Sequence, residues 1–315
     1  MKRLILCLLA LLLLSGCRAK ETAHSASFFA CDTVVTVTAY APQETVDATA
    51  RVCADYEAIL SKTVEGSDVW NLNHAKGAPV EVHPETAALL RLAVEIGTES
   101  EGAFDATIAP VSALWDFSAD PALPDEAALQ QAAARVDYKN ISIDGNTVTL
   151  QNGAEIDLGG IAKGYIADRV AEYLRGQGVA SACINMGGNV VAIGTKPDGS
   201  PWSIGVRDPN GTADQSAEVL KLSDAAVVTS GTYERYFELD GVRYHHILDP
   251  NTGMPVQNGL ASVTIIGTES ALCDALSTAC FVLGEEKSRP LLERYGADAI
   301  FIYSTGVIDS IRREQ

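Results

Sequence analysis

The sequence predicts an α+β fold, a mostly antiparallel sheet with packed helices, from three observations. Several long segments repeat apolar residues at helical spacing. Between them lie short runs rich in β-branched residues, some joined by Asp-Gly turns. The two kinds of segment mix without the strict strand–helix–strand alternation of a parallel sheet.

Residues 33–40, TVVTVTAY, alternate as a strand does. Residues 46–60 space Val, Cys, Tyr and Leu helically. Residues 84–99 read as a second helix. Pro84 suits a first helical position, and Leu89, Leu90, Leu92, Ala93 and Ile96 form its apolar stripe. Residues 122–134 make a third helix, acidic at its start. Residues 140–150 are a hairpin turning at Asp144-Gly145-Asn146. A helix over 162–177 closes near Gly178. Residues 182–194 give strand, glycine turn and strand, and 202–207 and 225–229 are short strands. A hairpin follows over 237–244 around Asp240-Gly241, then a strand at 261–266. The spacing predicts a helix over 269–283 stopped at Gly284, a last helix at 286–295 and a last strand at 299–303.

The first residues carry a different signal. Lys2 and Arg3 precede an apolar run over 4–14, and Ser15-Gly16-Cys17 follows. This is the order of a secretory signal, and the run is too short for an ordinary membrane span. Leu14-Ser15-Gly16-Cys17 resembles the bacterial lipobox. That implies a signal peptide at 1–16, acylation of Cys17, and attachment to the extracytoplasmic face of the cell membrane. Residues 17–27 are expected to be a polar tether and 28–315 the folded domain. Loss of 1–16 removes two positive charges and no negative one, taking the formal charge from -18 to about -20. So acidic a chain is a poor partner for nucleic acid or anionic lipid, and anchorage would rest on acyl chains. Outside the signal and Cys17 remain Cys31, Cys53, Cys183, Cys273 and Cys280. Their odd number, unpaired spacing and apolar neighbours point to buried thiols rather than a disulfide scaffold or zinc site.

Four segments hold polar residues and glycines that a plain core does not need. They are 102–107 (GAFDAT), 156–164 (IDLGGIAKG), 244–253 (YHHILDPNTG) and 274–278 (DALST). In the second, an acid and two glycines lead into a helix near Ala162. Glycine lets a ligand approach the backbone, and a helix N-terminus offers N–H groups to phosphate. The pattern is neither GxGxxG nor a Walker loop. In the fourth, Asp274 and Thr278 stand four apart on one helix face, a pair of hard oxygens suited to Mg2+. In the third, strand alternation puts His245 and His246 on opposite faces, so one imidazole at most serves chemistry. Taken singly, each segment also has a plain structural explanation: a tight turn, a solvated Asp, a packed histidine.

Together the stretches FDATIAP, LWDF, IDLGGIAKGYIADRV, INMGGN, TSGTYERYF, YHHILDPNTGMP and DALSTA, in this order, resemble the ApbE flavin transferases over nearly the whole chain from Phe28. The resemblance implies a T-fold-like core and Mg2+-dependent transfer of FMN from FAD to a Ser or Thr hydroxyl, with AMP released. It places Ala103, Phe104, Asp105, Asp157, Lys163 and Leu248 against the flavin nucleotide. The metal falls to the backbone oxygen of Gly160 and the side chains of Asp274 and Thr278. His246 becomes the catalytic base, with Asp249 in support. The implied acceptor is a flavin-bearing subunit of a membrane redox complex. Cys31 departs from the family, which often has Met there beside the flavin. Thr63 and Asn73 fall in a less diagnostic nucleotide-contacting region and are not assigned. Two other readings use the same residues: an Mg2+-dependent FAD pyrophosphatase giving FMN and AMP, and a flavin-binding lipoprotein without catalysis.

Overall fold

The computed structural model describes residues 22–117, 122–212 and 215–312. The expected signal peptide and Cys17 lie outside them. The described chain opens with a hairpin, β1 (His24–Ala30) and β2 (Thr33–Ala39). Helices α1 (Gln43–Asp47), α2 (Thr49–Leu60) and α3 (Asp68–His74) lead to strand β3 (Val80–Glu81) and the long α4 (Pro84–Glu99). After α5 (Ala109–Ser112) and α6 (Glu126–Ala133) comes the hairpin β4 (Ile141–Asp144) and β5 (Thr147–Leu150), then α7 (Ala162–Gly176). Seven strands follow: β6 (Ala182–Met186), β7 (Asn189–Ile193), β8 (Trp202–Arg207), β9 (Ser216–Leu222), β10 (Ala225–Gly231), β11 (Tyr236–Leu239) and β12 (Val242–His245). The last elements are β13 (Leu260–Gly267), α8 (Ser270–Leu283), α9 (Glu285–Tyr295), β14 (Asp298–Tyr303) and β15 (Ile308–Ile311).

The main sheet runs β1-β2-β6-β7-β10-β13-β14-β15, and every neighbouring pair is antiparallel. The expected α+β class is therefore the observed one. One face of the sheet packs on the helices, where α8 contributes Leu276 and Phe281 and α7 contributes Ile166 and Leu174 to the larger core. Over the central strands the other face is covered by the β8–β9 hairpin, through Trp202, Ile204 and Val206. Burial on both faces explains β13, an almost continuous buried run, whereas β2 near the edge alternates. A third, smaller cluster stacks Trp115, Phe237 and Tyr244 and fastens the separate β11–β12 hairpin to the body.

Besides adding elements that were not expected, α3, β9 and β15 among them, the structure departs from the expectations at three further places. The helix expected over 46–60 is two helices that meet at Ala48, where the buried Thr49 hydroxyl donates 2.6 Å to the Val46 carbonyl. The helix expected from 122 begins only at Glu126, where the Asp125 carboxylate accepts from the Ala128 N–H. Strand β1 starts at His24, inside the expected tether, and pairs along its length with β2. All five described cysteines are free thiols, as expected, but only Cys53, Cys273 and Cys280 are buried; Cys31 and Cys183 are half-buried.

Candidate active site

The registers bring three features to one end of the main sheet: the Cys31-Asp32 turn, the Gly187-Gly188 turn and the C-terminal end of β10. Gly187 has φ +56 and sits so close to Thr33 that a Cβ would come within 2.9 Å of its methyl group. The N-terminus of α7 and the middle of α8 reach the same end.

There the Gly159-Gly160 turn enters α7. Gly160 leaves a gap in which a Cβ would stand 3.2 Å from the Phe104 ring and 3.3 Å from Thr278 Oγ1. Phe104 is buried, and Thr278 is among the few half-open residues of α8. One turn earlier, Asp274 is 3 % exposed and its Oδ2 accepts from the Gly164 N–H at 2.8 Å. No hydrogen bond engages its Oδ1 among the described residues. Thr278 Oγ1 lies 3.4 Å from Ser230 Oγ at the end of β10. One free carboxylate oxygen, one hydroxyl and the glycine backbone suit a hard cation that draws its remaining oxygens from water and phosphate. Among the described residues no group of three or more His, Cys, Asp or Glu side chains offers a richer cage.

Beside this oxygen set, Asp157 accepts from Lys62 Nζ at 2.6 Å, from the Ser112 hydroxyl at 3.0 Å and from the Gly159 N–H at 2.9 Å. Burial alone would raise its pKa, but the Lys62 charge and these donors hold the carboxyl below its ordinary range. Lys163 donates to the Gly159 carbonyl at 3.1 Å, and its charge bears on both Cys31 and His246. Cys31 and Asp32 have φ of 52 and 56, the left-handed pair of a two-residue hairpin turn. Burial pushes the Cys31 thiol up to about 12, so it stays protonated.

The two histidines differ as alternation predicts. His245 is buried, with its Nε2–H donating to the Val256 carbonyl at 2.9 Å, its Nδ1 accepting from the Ile247 N–H and its ring edge-on to Phe281. Its nitrogens are used up, and burial lowers its pKa to about 4. His246 is half-buried, and its Nδ1–H donates to the Arg235 carbonyl at 3.3 Å. That bond fixes the tautomer and leaves Nε2 with a free lone pair. Burial first, then the Arg235 and Lys163 charges, lowers its pKa to about 3.

Three of the expected site side chains have protein partners that the sequence did not announce. Asp249 does not orient His246; its Oδ1 accepts from the Asn251 N–H and side chain and closes its own turn. The Arg235 carbonyl has the orienting role instead. The Asp105 carboxylate faces inward, accepting from the Thr107 N–H and hydroxyl and from the Tyr138 N–H. Burial raises its pKa against those donors, and it braces the loop that presents Phe104. The Leu248 side chain packs with Val111 and Trp115, and Ala103 is buried in the same loop as Phe104. Sequence reasoning left out Lys62, Ser112, Ser230 and Arg235. Of these only Lys62, a cation between two hydroxyls in an acidic chain, gave a readable signal. Asn73, left unassigned, bonds to both the N–H and the carbonyl of Ile156 and so sets the position of Asp157.

The model of the ApbE family matches residues 31–301. A Treponema pallidum protein named FAD:protein FMN transferase is 40% identical over 81% of this chain and 78% of its own length. A Klebsiella pneumoniae protein of the same name is 42% identical over 78% of each. The crystal structure of the ApbE protein from Thermotoga maritima superposes with a TM-score of 0.84 at 36% identity, covering 91% of this chain and 96% of that one. The apo flavinyl transferase ApbE of Pseudomonas stutzeri gives 0.83 at 31% identity, covering 94% and 96%.

Proposed function

The chain belongs to the ApbE family, and on that footing we propose that it transfers the FMN half of FAD to a Ser or Thr hydroxyl of an acceptor protein and releases AMP. The observation that carries this reading is the meeting of Gly160, Asp274 and Thr278 at the start of α7, beside Lys163, whose charge also reaches a His246 with its Nε2 unengaged. A bare binding protein needs no such base beside a cation-type oxygen set.

Each side chain has work in that reaction. The buried Phe104 ring gives the nucleotide an apolar wall. Lys163 sets a positive charge beside the pyrophosphate. The Asp157–Lys62 pair holds the glycine turn rigid from below. The Gly160 backbone oxygen, Asp274 and Thr278 would hold Mg2+, a Lewis acid that offsets charge on phosphate oxygens. A Ser or Thr hydroxyl is a weak nucleophile at neutral pH. His246 Nε2 takes its proton as the oxygen bonds to the FMN phosphorus. The bond from that phosphorus to the bridging oxygen breaks, and AMP departs with the electron pair.

The test is mass spectrometry of flavin-bearing subunits of membrane redox complexes, the acceptor class this reading favours, incubated with the protein, FAD and Mg2+. A mass gain of one FMN on a Ser or Thr is expected. FMN and AMP free in solution, with no gain on any such subunit, would make the enzyme a pyrophosphatase.

The reading includes anchorage to the extracytoplasmic face of the cell membrane through lipid on Cys17, supported by the lipobox order of 14–17. Cys17→Ala should leave the protein unprocessed or released from membranes. Unchanged membrane partition with an unchanged mature N-terminus would reject the anchor.

A further inference from the structure

Helices α7 and α8 both begin without a cap of their own. Neither Ile161 before α7 nor Glu269 before α8 offers a side chain to the first free N–H groups. Each helix is capped by the other. Asp168, on α7, accepts from the Ser270 N–H at 2.9 Å with one oxygen and from the Ala271 N–H at 2.8 Å with the other. Asp274, on α8, accepts from the Gly164 N–H of α7 at 2.8 Å. Between the two bonds the helices nearly touch: a Cβ on Gly164 would collide with the Ser270 carbonyl and come within 2.7 Å of Asp274 Cβ.

We propose that this reciprocal clasp sets the position of Asp274, making Asp168 a positioning residue for the metal site although it touches neither metal nor substrate. The inference rests on the metal assignment made above. Asp274 is one turn from Ser270, about 6 Å along the axis, so a shift at the pinned end passes almost undiminished to the carboxylate. Only one oxygen of Asp274 is tied to α7, and the free one points correctly only while α8 is held in register. Gly164 is part of the device, since any side chain there would part the helices.

The test is Asp168→Asn. An amide can accept one of the two N–H groups but turns a donor toward the other. With FAD present, binding of Mn2+, an oxygen-preferring stand-in for Mg2+, is followed by the EPR signal of the free ion. Transfer kinetics are measured across a Mg2+ titration, and FAD affinity without metal by flavin fluorescence. Loss of an outer-shell partner typically weakens metal binding about 10- to 100-fold. That loss is expected for Mn2+, with a matching rise in the Mg2+ needed for half-maximal rate. FAD affinity without metal and the rate at saturating Mg2+ should stay within about threefold of the parent. A merely structural Asp168 would lower the melting temperature and leave both metal titrations where they were, and that result overturns the proposal. If the asparagine variant does not fold, Asp168→Ser, which keeps a single short acceptor, takes its place under the same criteria. Asp274→Ala serves as reference. Should it bind Mn2+ as the parent does, the metal assignment fails; should it lose the ion while Asp168→Asn keeps normal affinity, the clasp alone fails.

Discussion

Asp274→Ala is expected to lower FMN transfer about a thousandfold with the fold retained. The charge of a Lewis acid on phosphate oxygens contributes several kcal/mol to the transition state, and about 4 kcal/mol corresponds to three orders of magnitude in rate. Asp274 is the only charged member of the proposed oxygen set, so its loss removes most of the attraction for the ion. The substitution also strips the Gly164 N–H of its acceptor, and a buried donor left unpaired costs about 1–3 kcal/mol. The melting temperature should therefore fall by several degrees. Asp274→Asn separates the two effects, since its amide oxygen can still accept from Gly164 while the charge is gone. It should melt near the parent temperature and remain almost as slow as the alanine variant. Thr278→Ala should cost less, because water replaces a neutral oxygen readily. Rates across a Mg2+ titration, paired with thermal melts, decide the matter. A normal rate and normal metal dependence in Asp274→Ala would take α8 out of the site.

What could be read from the sequence follows the range of the interaction that carries it. The bounds of α4 are those expected, because Pro84 and the Leu89, Leu90, Ala93, Ile96 stripe are local signals. The pairing of Asp274 with Thr278 follows from helix period alone, and the different surroundings of His245 and His246 are as expected although β12 ends at His245 and His246 lies in the bend after it. Strand β1, HSASFFA, escaped notice because its exposed face is Ser25, Ser27 and Phe29 and its other face is only half covered. The break at Ala48 before α2 interrupts an apolar spacing that runs on unchanged, so no periodicity reports it. The site was legible in its residue types and less so in its supports. Lys62 meets Asp157 across 95 residues of chain, and Asp168 meets α8 across more than 100. Asp249 shows the opposite case: proximity in sequence suggested a partner for His246, but the bonds its carboxylate makes are local, from Asn251 of the Asp-Pro-Asn-Thr-Gly turn to Oδ1.

His246→Ala should keep FAD affinity within a few-fold and lose transfer by about a hundred- to ten-thousand-fold, the usual cost of a missing base. The nucleotide wall, the Lys163 charge and the oxygen set all lie on other segments, so binding has no reason to fail. His245→Ala acts on the core instead: it frees the Val256 carbonyl and the Ile247 N–H and opens space against Phe281, so it should lower the melting temperature more than the rate. The pH profiles carry a sharper form of the same claim. In the free enzyme, burial, Arg235 and Lys163 hold the His246 pKa at about 3. Its base form is thus fully present above that value, and kcat/KM, which reports the free enzyme, should show no loss from this group between pH 5 and 8. Bound pyrophosphate brings negative charge beside those same cations and opposes them, which raises the imidazole pKa in the complex. The acid limb of kcat should therefore lie at higher pH than that of kcat/KM. His246→Ala should lose this limb and instead rise steadily with pH, as hydroxide in solvent takes over the proton. FAD affinity by fluorescence and transfer by covalent flavin on the acceptor, each measured across pH, separate the outcomes. A dead His245→Ala enzyme beside a healthy His246→Ala one would invert the assignment of faces. Full activity in both would move the base elsewhere, and Asp249, whose Oδ2 has no hydrogen bond among the described residues, would be the next candidate.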